Sequence, residues 1–475
     1  MKSTALIIFS LLALSAFANN LPGIQATIET DLINAYKDEL VPELDKKIEG
    51  TRLPDISTWW YSVTDVIIQR FVLSENQANV ELGNNTIDFV ATGWDLEITF
   101  NFKFLFIKQE IDVTSQDCSL SVQITPGFAD GELTFTASDS TVDIKHLKVT
   151  DEGFLGKIFQ WIANWIFDST AFLDNLDKTL AAEVVTGVQA SLDEFVDNFN
   201  YQQEISGTDL SISLQPVAAL EINTEYISAP LDGEVYVTSK GRGNSTIESN
   251  VTLPVTQNDE NLQVFVSNYV IKTGLDALYS NGDLNVTITP DDVPSQSPFK
   301  LNTGSLGLLF PGLITFYGNA QPCELVCWFD PENPPFIDFE NDVSLDFDYV
   351  CNLWALNATT NEYQLAVNFK GEISFQFDVS AIEDDVEIKI TTLRFVTITI
   401  IQSNIGTINA PSVVFKLNLT ASGFITALNF LLSEADIPIP QIPGYTLSNV
   451  TFTLDDGFMS FVGEASPSSS EFILN

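Results

Sequence analysis

One histidine, four cysteines and 64 carboxylates are the side chains from which this 475-residue sequence would have to assemble covalent or metal chemistry. A Ser-His-Asp relay would need His146 as its base, because the chain has no other imidazole. His146 sits in the strand-like Asp143-Ile144-Lys145-His146-Leu147-Lys148, flanked by lysines, and no Gly-x-Ser-x-Gly elbow supplies a nucleophile. It reads as a surface histidine. Paired carboxylates occur at Asp291-Asp292, Asp384-Asp385 and Asp455-Asp456. In so acidic a chain they read as loop solvation, since a glycosidase pair or a calcium site needs a set separation or ligand set. Gly241-Arg242-Gly243 lacks the company of a phosphate-cradling loop. The residues therefore point away from an enzyme and away from any cofactor.

The cysteines are Cys118, Cys323, Cys327 and Cys351. In an oxidising compartment the last three, close in sequence, are the expected source of a disulfide, which would leave Cys118 free. The spacing Cys-x3-Cys also permits zinc, but the one histidine lies far from it. An oxidising route is expected from the first 18 residues: Lys2, an apolar run from Ala5 to Ala13, then Ala16-Phe17-Ala18 with the small-x-small spacing of a cleavage site. On that reading the protein is secreted. The Asn-x-Ser/Thr sequons at Asn84, Asn244, Asn250, Asn285, Asn357, Asn418 and Asn449 then become candidate glycosylation sites. No other apolar run approaches the roughly 20 residues of a spanning helix.

The formal net charge of −44 discounts nucleic acid and anionic membrane as broad partners, because both bind through lysine and arginine. With 45% hydrophobic residues and 35 phenylalanines, the chain has ample material for folded cores, so the acidity is a solvated exterior and not a sign of disorder.

What must position the chemistry is a set of long amphipathic elements. From Phe154 to Phe199 a stripe containing Ile158, Ile162, Leu176, Leu180, Val184, Val188 and Leu192 recurs every three or four residues. It predicts a helix of roughly 65 Å if unbroken, with a possible restart capped at Asp168-Ser169. Ile24, Ile28, Leu32, Tyr36, Leu40, Leu44 and Ile48 step by four and predict a first helix, kinked at Pro42 and stopped by Gly50. Between these two helices the period falls to two, as in Trp94, Leu96, Ile98, Phe100, Phe102, Phe104 and Phe106, or Cys118, Leu120, Val122 and Ile124. This is the pattern of an antiparallel meander with one buried face. After a junction punctuated by Pro216 and Pro230, the second half is again mostly period two, as in Leu365 to Val379 or Phe415, Leu417 and Leu419. It has two short helical candidates, near Val266–Tyr279 and Phe424–Glu434. Periodicity leaves open whether the aromatic inner faces enclose a filled core or a lipid-sized hollow.

Several short segments, in order, resemble the family of bactericidal/permeability-increasing protein, lipopolysaccharide-binding protein, phospholipid transfer protein and cholesteryl ester transfer protein. They are Pro22-Gly23-Ile24, Leu53-Pro54-Asp55-Ile56-Ser57, Gly233-Glu234-Val235-Tyr236, Val266-Ser267-Asn268-Tyr269, Gln402-Ser403-Asn404-Ile405-Gly406, Ile437-Pro438-Ile439-Pro440, Leu447-Ser448-Asn449-Val450 and Gly457-Phe458-Met459-Ser460-Phe461-Val462-Gly463. The resemblance implies an α+β fold, an elongated two-barrel molecule. Each barrel would be a highly twisted antiparallel sheet wrapped on a long helix, and a central sheet would join the two. It assigns 1–18 to the signal peptide, 19–215 to an N-terminal lipid-binding barrel, 216–232 to a linker and 233–475 to a C-terminal lipid-binding barrel. It also implies a monomer that holds a phospholipid or related lipid in apolar pockets and touches a membrane surface transiently. The helix faces would then supply the walls: Ile24, Ile28, Leu32, Ile162, Leu176 and Leu180 in the first barrel, Val270, Leu428 and Leu431 in the second. An innate-defence protein binding bacterial lipopolysaccharide is the alternative. Two departures stand against the family pattern. No cysteine falls between Phe154 and Phe199 to tie the closing helix to a strand. The hairpin Phe104 to Glu110, where lipopolysaccharide-binding members carry basic clusters, is apolar with few charges; its phenylalanines either meet a membrane or fill the core.

Overall fold

The computed structural model describes residues 21–34, 41, 48–53, 55–57, 61–104, 107–129, 131–145, 148–149, 170–198, 200–205, 208–243, 245–258, 260–282, 285–293, 300–330, 333, 335–339, 343–382, 385–433 and 445–467. The expected leader, His146, Phe106, Asn244, Asp384, Ile437–Pro440 and the stretch 150–169 lie outside them.

The chain opens with β1 (Ile24–Glu29) and then lays down four long strands, β2 (Tyr61–Val72), β3 (Ile87–Phe104), β4 (Ile107–Ala129) and β5 (Glu132–Asp143). Helix α1 (Thr170–Asn198) follows. Next come β6 (Tyr226–Leu231), β7 (Leu262–Ser267) and α2 (Asn268–Asn281). Two short helices, α3 (Thr303–Leu306) and α4 (Gly312–Tyr317), precede a second run of strands. These are β8 (Cys323–Phe329), β9 (Val343–Asn357), β10 (Glu362–Ile382) and β11 (Asp385–Ser403). The chain ends on α5 (Ala410–Ser433), β12 (Tyr445–Asp455) and β13 (Phe458–Pro467).

The first sheet runs β2-β3-β4-β5 with short flanking strands, and the second runs β8-β9-β10-β11; every pairing in them is antiparallel. Between them a central six-stranded sheet, ordered Glu221–Ile222, β6, β1, β7, β13, β12, draws its strands from both ends of the chain. The first core gathers Ile68, Trp94, Leu96, Ile98, Phe100 and Val113 with Leu176 and Leu180 of α1; the second gathers Phe369, Ile373, Leu393 and Ile398 with Val413, Leu417 and Ala421 of α5.

Alternation explains β3, with one correction to its phase. Ala91 and Trp94 are both buried although they are three residues apart, because the register slips between Thr92 and Trp94. Gly93 sits there at φ 76°, a left-handed conformation that glycine adopts without strain, and the resulting bulge returns Trp94, Leu96 and Ile98 to the inner face.

Two expectations fail for related reasons. Ile24 and Ile28 lie on strand β1 and not on a helix; helix begins only at Thr30. The intervening Gln25 and Thr27 are buried polar residues that hydrogen-bond to Ser228 of β6, so β1 is covered on both faces, and its apolar/polar alternation from Ile24 to Glu29 is only six residues long, short enough to be absorbed into the four-residue steps that continue at Leu32. What remains visible is an isoleucine pair four apart, which mimics a helix. Conversely Phe415, Leu417 and Leu419 read as a strand but lie on α5, which begins fourteen residues before Phe424. Its inward residues Val413 and Leu417 alternate with outward Phe415 and Leu419, and apolar residues on both faces erase the helical period.

Candidate functional site

Each long sheet curls so that its last strand, β5 or β11, comes alongside a long helix. A strand at that position presents unpaired backbone N–H and C=O groups, which must be satisfied or exposed. In the second unit the helix satisfies them with two asparagines. Asn418 Nδ2 donates to the Phe395 carbonyl at 2.8 Å and its Oδ1 accepts from Phe395 N–H at 2.9 Å. Asn429 does the same for Ile390, at 2.9 and 2.7 Å. Eleven helical residues at 1.5 Å rise span about 16 Å, and five strand residues at 3.3 Å span about 16 Å. The two ladders match, with α5 antiparallel to β11.

The first unit solves the same problem with other residue types. Gln189 of α1 donates to the Phe135 carbonyl and accepts from Ala137 N–H, both at 2.9 Å. Asp177 accepts from Ile144 N–H at 3.1 Å, and Ser140 Oγ donates to the Ala181 carbonyl at 2.8 Å. Burial raises the Asp177 carboxyl above its ordinary pKa, the Ile144 bond opposes that rise, and Asp143 and Asp174 add to it. Of these seam residues the sequence marked only Asn418, and that as a glycosylation sequon. The signal that could have found them is a polar side chain interrupting the apolar stripe of each helix.

Inside each closure lie apolar side chains that pack on the core yet keep accessible surface. In the second unit they are Phe347, Phe375, Phe395, Phe424, Ile425 and Leu428. Phe329, Phe347, Phe375 and Phe377 form a chain of ring contacts with centroids 4.6, 5.7 and 5.9 Å apart. In the first unit they are Phe89, Ile124, Val184, Val185 and Val188. There the Trp94 indole is 3% exposed and its Nε1–H finds no acceptor among the described residues.

Of the expected wall residues, Leu176 and Leu180 are buried against the first sheet, and Leu428 is half-buried inside the second unit. Leu431 lies near the end of α5. Val270 of α2 packs with Ile24, Val235 and Tyr269, while Leu32 packs with Leu262 and Ala465 and half-buried Ile28 beside the central sheet. Ile162 lies outside the described residues. The expected residues thus divide among several clusters. The expected disulfide forms between Cys327 and Cys351, which face each other across β8 and β9; Cys118 and Cys323 are free and buried. Among the described residues no group of histidine, cysteine, aspartate and glutamate could hold a metal ion, and no helix is long and apolar enough to cross a membrane.

Residues 204–464, more than half of the chain, match the LBP / BPI / CETP family, C-terminal domain. The chain belongs to this family of lipid-binding proteins. Human lipopolysaccharide-binding protein is 25% identical over 272 residues, an alignment covering 54% of this chain and 55% of that protein. The chain therefore aligns with about half the length of that curated relative. A crystal structure of lipopolysaccharide binding protein superposes with a TM-score of 0.53 at 18% identity, covering 94% of this chain and 99% of the other. That likeness carries the fold: two sheet-and-helix units joined through a central sheet, as LBP / BPI / CETP architecture requires.

Proposed function

We propose that the protein is secreted and binds or transfers phospholipid-like molecules, holding their acyl chains between each long sheet and its closing helix without covalent chemistry. One observation carries this reading. Large apolar side chains on the inner side of both closures, Phe347, Phe375, Phe424 and Leu428 in one and Phe89, Val184 and Val188 in the other, remain only half-buried. Burying chain methylenes against such walls contributes about 0.8 kcal/mol per CH2 and needs no reactive group. An ester or water oxygen would also satisfy the Trp94 indole, whose unpaired burial costs roughly 1–3 kcal/mol. In this reading 19–215 and 233–475 each form one lipid-binding barrel, and Leu176, Leu180 and Leu428 belong to the walls.

Native mass spectrometry of the purified protein, followed by organic extraction, tests it. Copurifying phospholipid, or uptake of phospholipid by a delipidated sample, is expected. A delipidated protein that refuses lipid refutes the proposal.

A second reading is favoured by the human relative named lipopolysaccharide-binding protein. Salt-sensitive binding of this protein to lipopolysaccharide would support it. The net charge of −44 opposes cationic recognition of such an anionic glycolipid, and absence of binding at low ionic strength removes it.

A further inference from the structure

In a chain of net charge −44, residues 301–323 contain no charged side chain and residues 395–433 contain one, Lys416. The fold brings these two stretches together. Lys416 Nζ donates to the Leu308 carbonyl at 2.8 Å, and Gly312 lies so close to Ile405 that an added Cβ would collide with the Ile405 carbonyl oxygen. Phe310, Leu313 and Tyr317 are buried with Ile405, Val413 and Leu417, which docks α4 onto the start of α5.

They meet at the end of the second unit remote from the central sheet. Val343, where β9 begins, packs with Leu454 and Met459 of β12 and β13. At the other end of β9, Leu356 N–H donates to the Pro322 carbonyl at 2.9 Å. Thirteen strand residues at about 3.3 Å each separate the two ends by roughly 43 Å.

The outer face of this end is apolar and uncovered. Leu308, Phe316, Phe415 and Leu419 are 66%, 60%, 68% and 72% exposed, and Ile314 is 43% exposed. Phe415 and Leu419 stand one turn apart on α5, opposite Val413 and Leu417, so one helix presents an apolar face both to the core and to solvent. Isolated exposed apolar residues are ordinary, but five on adjoining elements with no charge among them but Lys416 mark an interaction surface.

We infer that this end of the second barrel inserts into the surface of an electrically neutral phospholipid layer. Charge selects that occupant. The acidic body is repelled by anionic surfaces, whereas this end, built from stretches without a carboxylate, can approach a neutral layer closely. Its polar members, among them Thr315, Asn319, Thr407, Asn409 and Ser412, are uncharged groups suited to the headgroup zone. At its margin stands Tyr363, a residue type enriched at membrane interfaces, under the influence of Glu324 and Asp291, and Lys300, Glu324 and Arg394 bound the uncharged stretches in sequence. The inference does not depend on lipid being held inside the barrels.

The test is co-flotation with large unilamellar vesicles of phosphatidylcholine at low and high salt. It compares wild type with the triple variant Phe316→Ser/Phe415→Ser/Leu419→Ser, and with Phe336→Ser, an exposed aromatic that packs with Lys272 away from this end. The replaced residues are exposed, so thermal melting should show all three proteins folded. Wild type should bind in a salt-independent manner, the triple variant should bind at least about thirty-fold more weakly, and Phe336→Ser should match wild type. Equal partitioning of wild type and triple variant overturns the inference. So does a wild type that ignores vesicles but self-associates through this end, seen as a dimer in sedimentation velocity that the triple variant loses.

Discussion

Replacing Asn429 with alanine tests whether helix side chains stand in for a missing strand. Its two bonds to Ile390, at 2.7 and 2.9 Å, are the partners of an otherwise open N–H and C=O on β11. Ile390 is 5% exposed, so water does not readily replace them. Each lost bond costs about 0.5–1.5 kcal/mol, and a backbone group left unsatisfied in the interior raises the figure, giving about 2–3 kcal/mol for Asn429→Ala. Asn418→Ala removes the equivalent pair at Phe395, but Asn418 is exposed and water can substitute, so about 1 kcal/mol is expected. The sites are about 16 Å apart, and the double variant should be additive. Denaturant titration gives the stability change, and amide hydrogen exchange read at Ile390 and Phe395 gives its location. Exchange at Ile390 should accelerate in Asn429→Ala while Phe395 stays protected. Unchanged exchange at Ile390, with a stability loss below about 0.5 kcal/mol, would refute the strand-substitute account.

Four further outcomes follow from the same structure. Asp177→Asn keeps an acceptor for Ile144 N–H and removes the cost of holding a charge where burial raises the carboxyl's pKa, so it should stabilise the protein at neutral pH. In wild type the contribution of Asp177 is fully favourable below the unfolded carboxyl's pKa near 4 and is lost as pH rises through the raised folded value; melting temperatures of the pair against pH should converge in acid. Removing the Cys327–Cys351 bridge, which joins positions 24 residues apart, should cost about 3.5 kcal/mol, measured by denaturation of the double serine variant. Burial pushes the Cys323 thiol up to about 12 and raises that of Cys118, so iodoacetamide at mildly alkaline pH should label neither before unfolding, as mass spectrometry would show. Because the Asn418 amide is engaged with Phe395, glycopeptide mapping should find this sequon unoccupied where exposed Asn250 is modified.

The long sheets were legible because each has one wet face. In β3 the buried Leu96, Ile98, Phe100 and Phe102 alternate with Asp95, Glu97, Thr99 and Asn101, and only the Gly93 bulge shifted the phase. The α1 stripe was legible for the same reason at a helical period. Legibility failed where residue type and burial part company. β1 is covered on both sides and carries buried Gln25 and Thr27, whereas α5 is apolar on both sides. The disulfide was narrowed to three cysteines by proximity, but only register could choose. Cys327 lies opposite Cys351, while Cys323 lies opposite Ala355.

The two closures share an arrangement that no shared residue explains. α1 offers Asp177 and Gln189 to the last strand of its sheet, α5 offers Asn418 and Asn429, and in both the helix runs antiparallel to that strand. The common cause is physical. A curled sheet that does not close on itself leaves an edge, and an edge beside an apolar interior leaves polar backbone groups where water is scarce. A helix can cover the edge with its apolar stripe only if it also carries a donor and an acceptor where the strand's peptide groups emerge. A carboxamide supplies both from one side chain, which is why Gln189, Asn418 and Asn429 each bridge an N–H and a C=O. Asp177, an acceptor only, serves the single N–H of Ile144 beyond the end of β5 and bears a raised pKa as the cost. The polar residues that interrupt both apolar stripes are therefore part of the closure, and the apolar residues between them are left free to line an interior.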